Sequence, residues 1–428
     1  MLIAAILSSL IFFTSLVLIF SEKMHRSIVA IAGGVLMVVI GKILHFYSEE
    51  AALAAIDFNT LGLLLGMMIL VAMLEPTGFF EYLAVLAARA STGKPLRLFV
   101  LLGSITTILS MFLDNVTTVV LIAPVTILIS EILGVSPIPY LVTEALLSNT
   151  GGVATLVGDP PNVLIGSAAG LSFADFLIYS FPIVVVVWAG ALFLLRHLFR
   201  KDLSVEPRSA EAVMKLNPAE TLNQPRTARQ VLIVLAAAVV LFFVHHVLHI
   251  APSLVALGAA AVALVWVQPD INEVLNRIEW SVLVFFAALF VMVGGMEAAG
   301  VLESIVGLFR GASSVQPVLF GVLLIWVVAG LSAVVDNVPI TIALIPVIAG
   351  LGETGMDVTP LWWALAFGAG FGGNGTIIGS TANIIVASLS EKTRTPITSG
   401  LWIRRGLPVM LATCAIASIL YTILYRWF

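Results

Sequence analysis

Cysteine is almost missing: Cys414 stands alone in 428 residues, so neither an intrachain disulfide framework nor a thiolate metal cluster can form. Charge is nearly as scarce. Asp, Glu, Lys and Arg make up 10% of the chain, where a soluble protein carries about 25%. A formal net charge of −4 offers nucleic acid no basic surface. What fills the chain is apolar: hydrophobic residues reach 60% and mean hydropathy is +1.13. Such a chain cannot cover a soluble surface and belongs in a bilayer. No nucleophile–base set is recognisable at membrane depth, so an enzyme is not expected, and neither is a cofactor.

A helix needs about 20 apolar residues to cross the hydrocarbon. Five runs in the first half meet or approach that length: Leu2–Phe20, 26–46, 59–74, 138–165 and Phe173–Leu198. The first is long enough to remain as a span rather than be cleaved as a signal. The run 96–132 is too long for one helix and is interrupted at Asp114-Asn115. It reads as a re-entrant hairpin with a polar tip, two short spans being the alternative; irregular backbone at that depth must be buried in protein or line a cavity. The second half repeats the series at 230–246, Pro252–Val267, 280–296, 315–350, 361–389 and 402–425. A polar linker, 200–229, separates them, with an amphipathic helix expected near 206–216.

The halves align at a constant offset of 222 residues. Asp57 falls on Glu279, Glu75 and Gly78 on Glu297 and Gly300, Glu81 on Glu303, and Ser110 on Ser332. Asp114-Asn115-Val116 falls on Asp336-Asn337-Val338. At an offset of 221, GGVATLVGDPPN (151–162) falls on GGNGTIIGSTAN (372–383). Five crossings per half, with the N-terminus outside, put 17 of the 20 Lys and Arg residues on the cytoplasmic side, among them Lys23, Arg26, Lys392 and Arg394; only Lys42, Arg310 and Arg426 lie outside. The positive-inside rule favours this arrangement. Five is odd, so the second half enters from the opposite face. The expectation is therefore an all-α polytopic membrane protein with two inverted-topology repeats, 1–199 and 230–428. It has about ten transmembrane helices, two re-entrant hairpins (96–132 and 315–350) and two broken helices (138–165 and 361–389). Both termini are expected outside the cytoplasm, in a bacterial inner membrane.

Ionisable groups at membrane depth are functional candidates by default. Asp114 and Asp336 occupy matching hairpin tips and are the candidate proton-coupling residues; the bland alternative is that each only caps a helix. Asn115, Asn337 and Thr117 beside them offer donors and acceptors. Gly151-Gly152 and Gly372-Gly373 weaken helix continuity, and the two prolines after Asp159 cannot continue a helix. Thr155, Asp159, Asn162, Asn374, Thr376, Ser380 and Asn383 then join the candidate substrate site, with tight packing of small residues as the alternative for the glycines. The site so drawn holds no Lys, Arg or His, which favours a cation, a proton or a neutral polyhydroxy solute. Glu144, inside a broken span, is a candidate proton relay; Glu75 and Glu297 sit at span ends. His245, His246 and His249 cluster at the outer edge, Cys414 is expected to pack, and Trp280, Trp402 and Trp427 read as interfacial anchors.

The strings FLDNVTTVVLIAPVTILI (112–129), SNTGGVATLVGDPPNVLIGSAAGLSFADFL (148–177), VVDNVPITIALIPVI (334–348) and GGNGTIIGSTANIIVASLSEK (372–392) resemble the ion transporter superfamily. The resemblance is strongest to its arsenite permease, NhaD-type sodium/proton antiporter and P-protein branch, and it covers essentially the whole chain. It implies a substrate site between hairpin tips and broken helices, and often a homodimer. Both tips here read Asp-Asn-Val, unlike the Ser-Asn-Thr tips of sodium-coupled carboxylate transporters. Ser148-Asn149-Thr150 occurs, but beside a helix break. The functional expectation is proton-driven efflux of arsenite or antimonite by alternating access, with the proton motive force as the energy source. The resemblance also admits a cytosolic pump ATPase as partner. The alternatives are sodium/proton antiport, with Na⁺ at the same residues, or transport of another anion or organic acid. A channel would not need two inverted hairpins with a protonatable residue at each tip.

Overall fold

The computed structural model describes all residues except 1, 21–23, 246–247, 302–315, 354, 392 and 394, and the side chains of Leu2 and Phe20. The expectations for Lys23, Arg310, Lys392, Arg394, His246 and Glu303 fall outside the described residues.

Among the described residues the regular structure is all helical. The first half runs α1 (Leu2–Phe20), α2 (Arg26–Ile43), α3 (Phe58–Leu74), α4 (Phe79–Ala90), then a hairpin of α5 (Pro95–Ser110) and α6 (Asn115–Leu133). A broken helix, α7 (Ile138–Gly152) and α8 (Pro160–Ala169), leads to α9 (Phe181–Leu198). After the linker come α10 (Pro225–Val244), α11 (Pro252–Val267) and α12 (Trp280–Ala298). The second hairpin is α13 (Pro317–Ser332) with α14 (Asn337–Glu353), the second broken helix α15 (Thr359–Gly372) with α16 (Thr381–Ser390), and α17 is Ser399–Leu424. Prolines open α5, α7, α8, α10, α11 and α13 in the first turn, where the missing N–H costs nothing. That is why α10 begins at Pro225, inside the stretch expected to be linker. The linker's own helix shrinks to Ala210–Met214.

Among the described residues, seven helical stretches are long and apolar enough to span a bilayer, against about ten expected. Six of the seven are expected crossings, and the seventh is α6, an arm of the first hairpin. The expected crossings not among them are α1 and α11, which are shorter apolar helices over their described residues, and the two broken helices, each divided into pieces of 10 to 15 residues. The 16 residues of α11 rise about 24 Å, short of a hydrocarbon core about 30 Å thick.

Packing exposes the repeat. In the first half α5 packs on α7, and in the second α13 on α15. Other contacts are exchanged between halves: α2 with α12 and α3 with α11; α8 with α14 and α16 with α6. Helices α1–α3 and α10–α12 form one layer; hairpins, broken helices, α9 and α17 form the other. The layers meet where α3 faces α8 and α12 faces α14.

Candidate functional site

Each break is built the same way. Asn162 Nδ2 donates to the carbonyls of Gly152 and Thr155, at 2.9 and 2.8 Å. Asn383 Nδ2 donates to those of Gly373 and Thr376, at 2.8 and 2.9 Å. One amide thus satisfies two carbonyls that the interrupted helix leaves without partners. The hydroxyl of Thr155 donates to the Met111 carbonyl and that of Thr376 to the Ala333 carbonyl, tying each break to its hairpin tip. A Cβ at Gly151 would lie 2.5 Å from the Thr107 carbonyl, and one at Gly372 would lie 2.6 Å from the Ala329 carbonyl. The glycines therefore serve close backbone approach.

Asn149, on α7, fastens the two halves. Its Oδ1 accepts from Asn115 Nδ2 at 3.0 Å and Ser380 Oγ at 2.9 Å. Its Nδ2 donates to Asn374 Oδ1 and Asn383 Oδ1, both at 3.0 Å. Sequence reading placed Ser148-Asn149-Thr150 beside the break and gave Asn149 no role; the signal was a buried amide with no hydrophobic reason to be there.

In front of this network lies a cavity of about 170 Å³ at the seam between the two layers. Of the expected site residues, Asp114, Asn115, Thr117, Asp159, Asp336, Asn337 and Ser380 line it. Gly151, Gly152, Thr155, Asn162, Gly372, Gly373, Asn374, Thr376 and Asn383 stand behind its wall, in the breaks and the amide network. Glu144 is elsewhere, fully buried between α6 and α7 with Thr126 donating to its Oε1 at 2.5 Å.

The three aspartates are held differently. Asp114 caps α6, accepting from the Thr117 amide at 2.9 Å and its hydroxyl at 2.5 Å, and it also faces the cavity. Asp159 Oδ2 accepts from Asn337 Nδ2 at 2.9 Å, while its buried Oδ1 has no protein partner. Asp336 accepts from the Val338 amide at 3.2 Å and the Thr381 hydroxyl at 2.9 Å, and pairs with Arg26 at 3.5 Å.

That last contact corrects the expectation of a site free of basic residues: Arg26 and Arg277 both stand in the wall, with Glu75 and Glu279. All four sit at helix ends of the first layer, and folding swings those ends over the hairpin tips. Arg277 pairs with Glu75 at 2.9 Å and Glu273 at 3.1 Å. Glu279 lies just before the α12 span; burial, with the Asp114 carboxylate beside it, pushes it up to about 7 against the pull of Arg26. Trp402 is a second correction. It is fully buried and donates through Nε1 to the Asn374 carbonyl at 3.2 Å, so it braces the network rather than an interface. Among the described residues no cluster of His, Cys, Asp and Glu is arranged to hold a metal ion.

Residues 16–368 match the citrate transporter family. The chain belongs to that family. It is 37% identical to a 46 kDa membrane protein of Mycobacterium leprae, over 99% of this chain and 98% of that one. It is 32% identical to the human P protein, over 93% of this chain but 57% of that longer protein, in keeping with the resemblance drawn from the motifs. The crystal structure of the YdaH transporter of Alcanivorax borkumensis, described as having an unusual topology, superposes with a TM-score of 0.58 at 17% identity. It covers 94% of this chain and 99% of that one. This member of the citrate transporter family is an integral membrane transporter, not an enzyme.

Proposed function

We propose that the chain is a secondary transporter in which Asp114, Asp159 and Asp336 carry the coupling protons, and that it exports arsenite or antimonite from a bacterial cytoplasm. The observation that carries this reading is the convergence of those three carboxylates, from both repeats, on one seam cavity. With Glu75 and Glu279 the wall holds five carboxylates against the two guanidiniums of Arg26 and Arg277. A polyanion such as citrate would enter an already acidic space, whereas arsenous acid is a neutral trihydroxide at physiological pH. The amide of Asn337 and the hydroxyls of Thr117 and Ser380, all in the cavity wall, suit its hydroxyls. The lone Cys414 is buried and does not line the cavity, so recognition must come from oxygen and nitrogen.

Sodium/proton antiport is the second reading, favoured by one observation: the unpartnered Asp159 Oδ1 is a ready ligand for a hard cation. Everted vesicles under an imposed proton gradient separate the two. Arsenite uptake that disappears when the gradient collapses supports the first; sodium-evoked proton movement without arsenite flux supports the second. In either case Asp114→Asn and Asp336→Asn are expected to reduce proton-driven flux at least tenfold, about 1.4 kcal/mol on the coupled step, while the protein still folds. Wild-type flux in both variants overturns the assignment.

A further inference from the structure

The repeat makes Asp114 and Asp336 equivalent in sequence, and their surroundings break that equivalence. Thr117, which serves Asp114 from the same helix, is matched in the second half by Pro339, which has neither hydroxyl nor N–H. Thr381, which serves Asp336 from α16, is matched in the first half by Pro160. Asp336 thus keeps only the Val338 amide from its own helix, and its other oxygen is left to Thr381 and Arg26. The residue aligned with Arg26 in the second half is Leu248, so Asp114 has no such neighbour.

The positive-inside rule accounts for a basic residue at this end of the span, but not for a guanidinium turned into the seam. Arg26 opens α2, where the helix dipole disfavours a cation. Its guanidinium lies over the Phe285 ring, 5.4 Å from the centroid, which fixes its direction across the seam. Among the described residues Asp336 is its one ion-pair partner. Arg277, by contrast, is committed to Glu75 and Glu273. At 3.5 Å the Arg26–Asp336 contact is longer than the 2.7–2.9 Å of a tight charge-assisted bond, and both side chains keep partial exposure. The other charged groups around the pair are Glu279 from α12, Asp114 and Asp159 from the first repeat, and the Glu75–Arg277 pair.

We infer that Arg26 is the resident cation of the transport cavity: it holds Asp336 when no coupling cation is bound, and so ties the second hairpin tip to the first layer until such a cation replaces it. Arg26 is a positioning residue in this account. The inference deepens the proposed function and rests on it, because it supposes that a cation binds at Asp336.

The tie can be read without any transported solute. Spin labels at Val35→Cys on α2 and Leu331→Cys beside the second hairpin tip, in a Cys414→Ala background, report the distance across the seam. The two labelled side chains are exposed. In the full chain with Arg26 intact a single dominant distance is expected. Arg26→Ala is expected to add a second distance, and Asp336→Asn to add the same one. The double variant should show no more of it than either single variant, since both remove one contact. Arg26→Lys, or millimolar guanidinium chloride added to Arg26→Ala, should restore the first distance. Should Arg26→Ala fail to purify, Arg26→Met keeps the packing on Phe285 and carries the same expectation. An unchanged distribution in the neutral variants overturns the inference, as does an additive double variant or failure of rescue by both lysine and guanidinium. Proton-driven flux, measured separately in vesicles, bears on the proposed function. If it is absent while the distances respond, that reading fails and the tie stands; if it is present while they do not, the reverse holds.

Discussion

Asn149 makes four hydrogen bonds, to Asn115, Ser380, Asn374 and Asn383, and all five side chains are buried. Three of those partners come from the opposite repeat, so the residue joins the halves where they would otherwise meet through unpaired polar groups. Each buried polar group left unsatisfied costs about 1–3 kcal/mol. Asn149→Leu orphans several at once, and a loss on the order of 3 kcal/mol or more is expected. Thermal unfolding of the purified protein in detergent would register it as a clear fall in midpoint; a wild-type midpoint would show that the network relaxes onto itself. This residue was legible only as part of a string. Its importance lies in which amides fold back to meet it from 225 and 234 positions away, and no local pattern carries that.

At the scale of elements, the hairpins and breaks were readable because the chain states them twice. Asp-Asn-Val at two tips, and two Gly-Gly pairs followed by an asparagine ten residues on from the second glycine, fixed helix ends that the structure places within a few residues. The helix α4 was not readable: 12 residues, too short to span, following a run that had already ended at Leu74. What sets its direction is Gly78, in the left-handed region at φ 77°, where an added Cβ would lie within van der Waals overlap of the Thr221 carbonyl of the linker. Its partner in the repeat, Gly300, has φ 73°, so the turn is a feature of the fold. Gly170 has φ 68° with open space around it and serves as the control. Gly170→Ala is expected to cost roughly 1–2 kcal/mol for the left-handed backbone alone. Gly78→Ala should cost distinctly more, because the linker must also move. Equal shifts of the unfolding midpoint in the two variants would mean that the linker yields freely.

The whole molecule is two layers with a seam, and the charged residues missed from sequence belong to the seam. Arg26, Arg277 and Glu279 stand at helix ends, where a linear reading assigns ionisable groups to the interface; only the exchange of helices between halves turns those ends inward. The seam holds a second cavity beyond the first, of about 230 Å³, lined by Asp57, Leu164, Ser167, Phe286, Phe290 and Ile342 among others. Asp57 accepts from the Ser167 hydroxyl there, bridging the layers. Phe286 is fully buried and borders both cavities. If transport proceeds by opening the seam on alternate sides, this ring is the wall that keeps the two sides from being open together. Phe286→Ala should therefore join the cavities. The folding cost is about 3–5 kcal/mol, as for other buried Phe→Ala changes. The sharper expectation is functional: vesicles carrying the variant should dissipate an imposed proton gradient severalfold faster than wild type, without added substrate. A smaller change, Phe286→Leu, should leak less, because it keeps most of the apolar volume. Gradients held as long as in wild type by a folded Phe286→Ala protein would place the barrier elsewhere along the seam, with Phe285 and Leu289 the next side chains to remove.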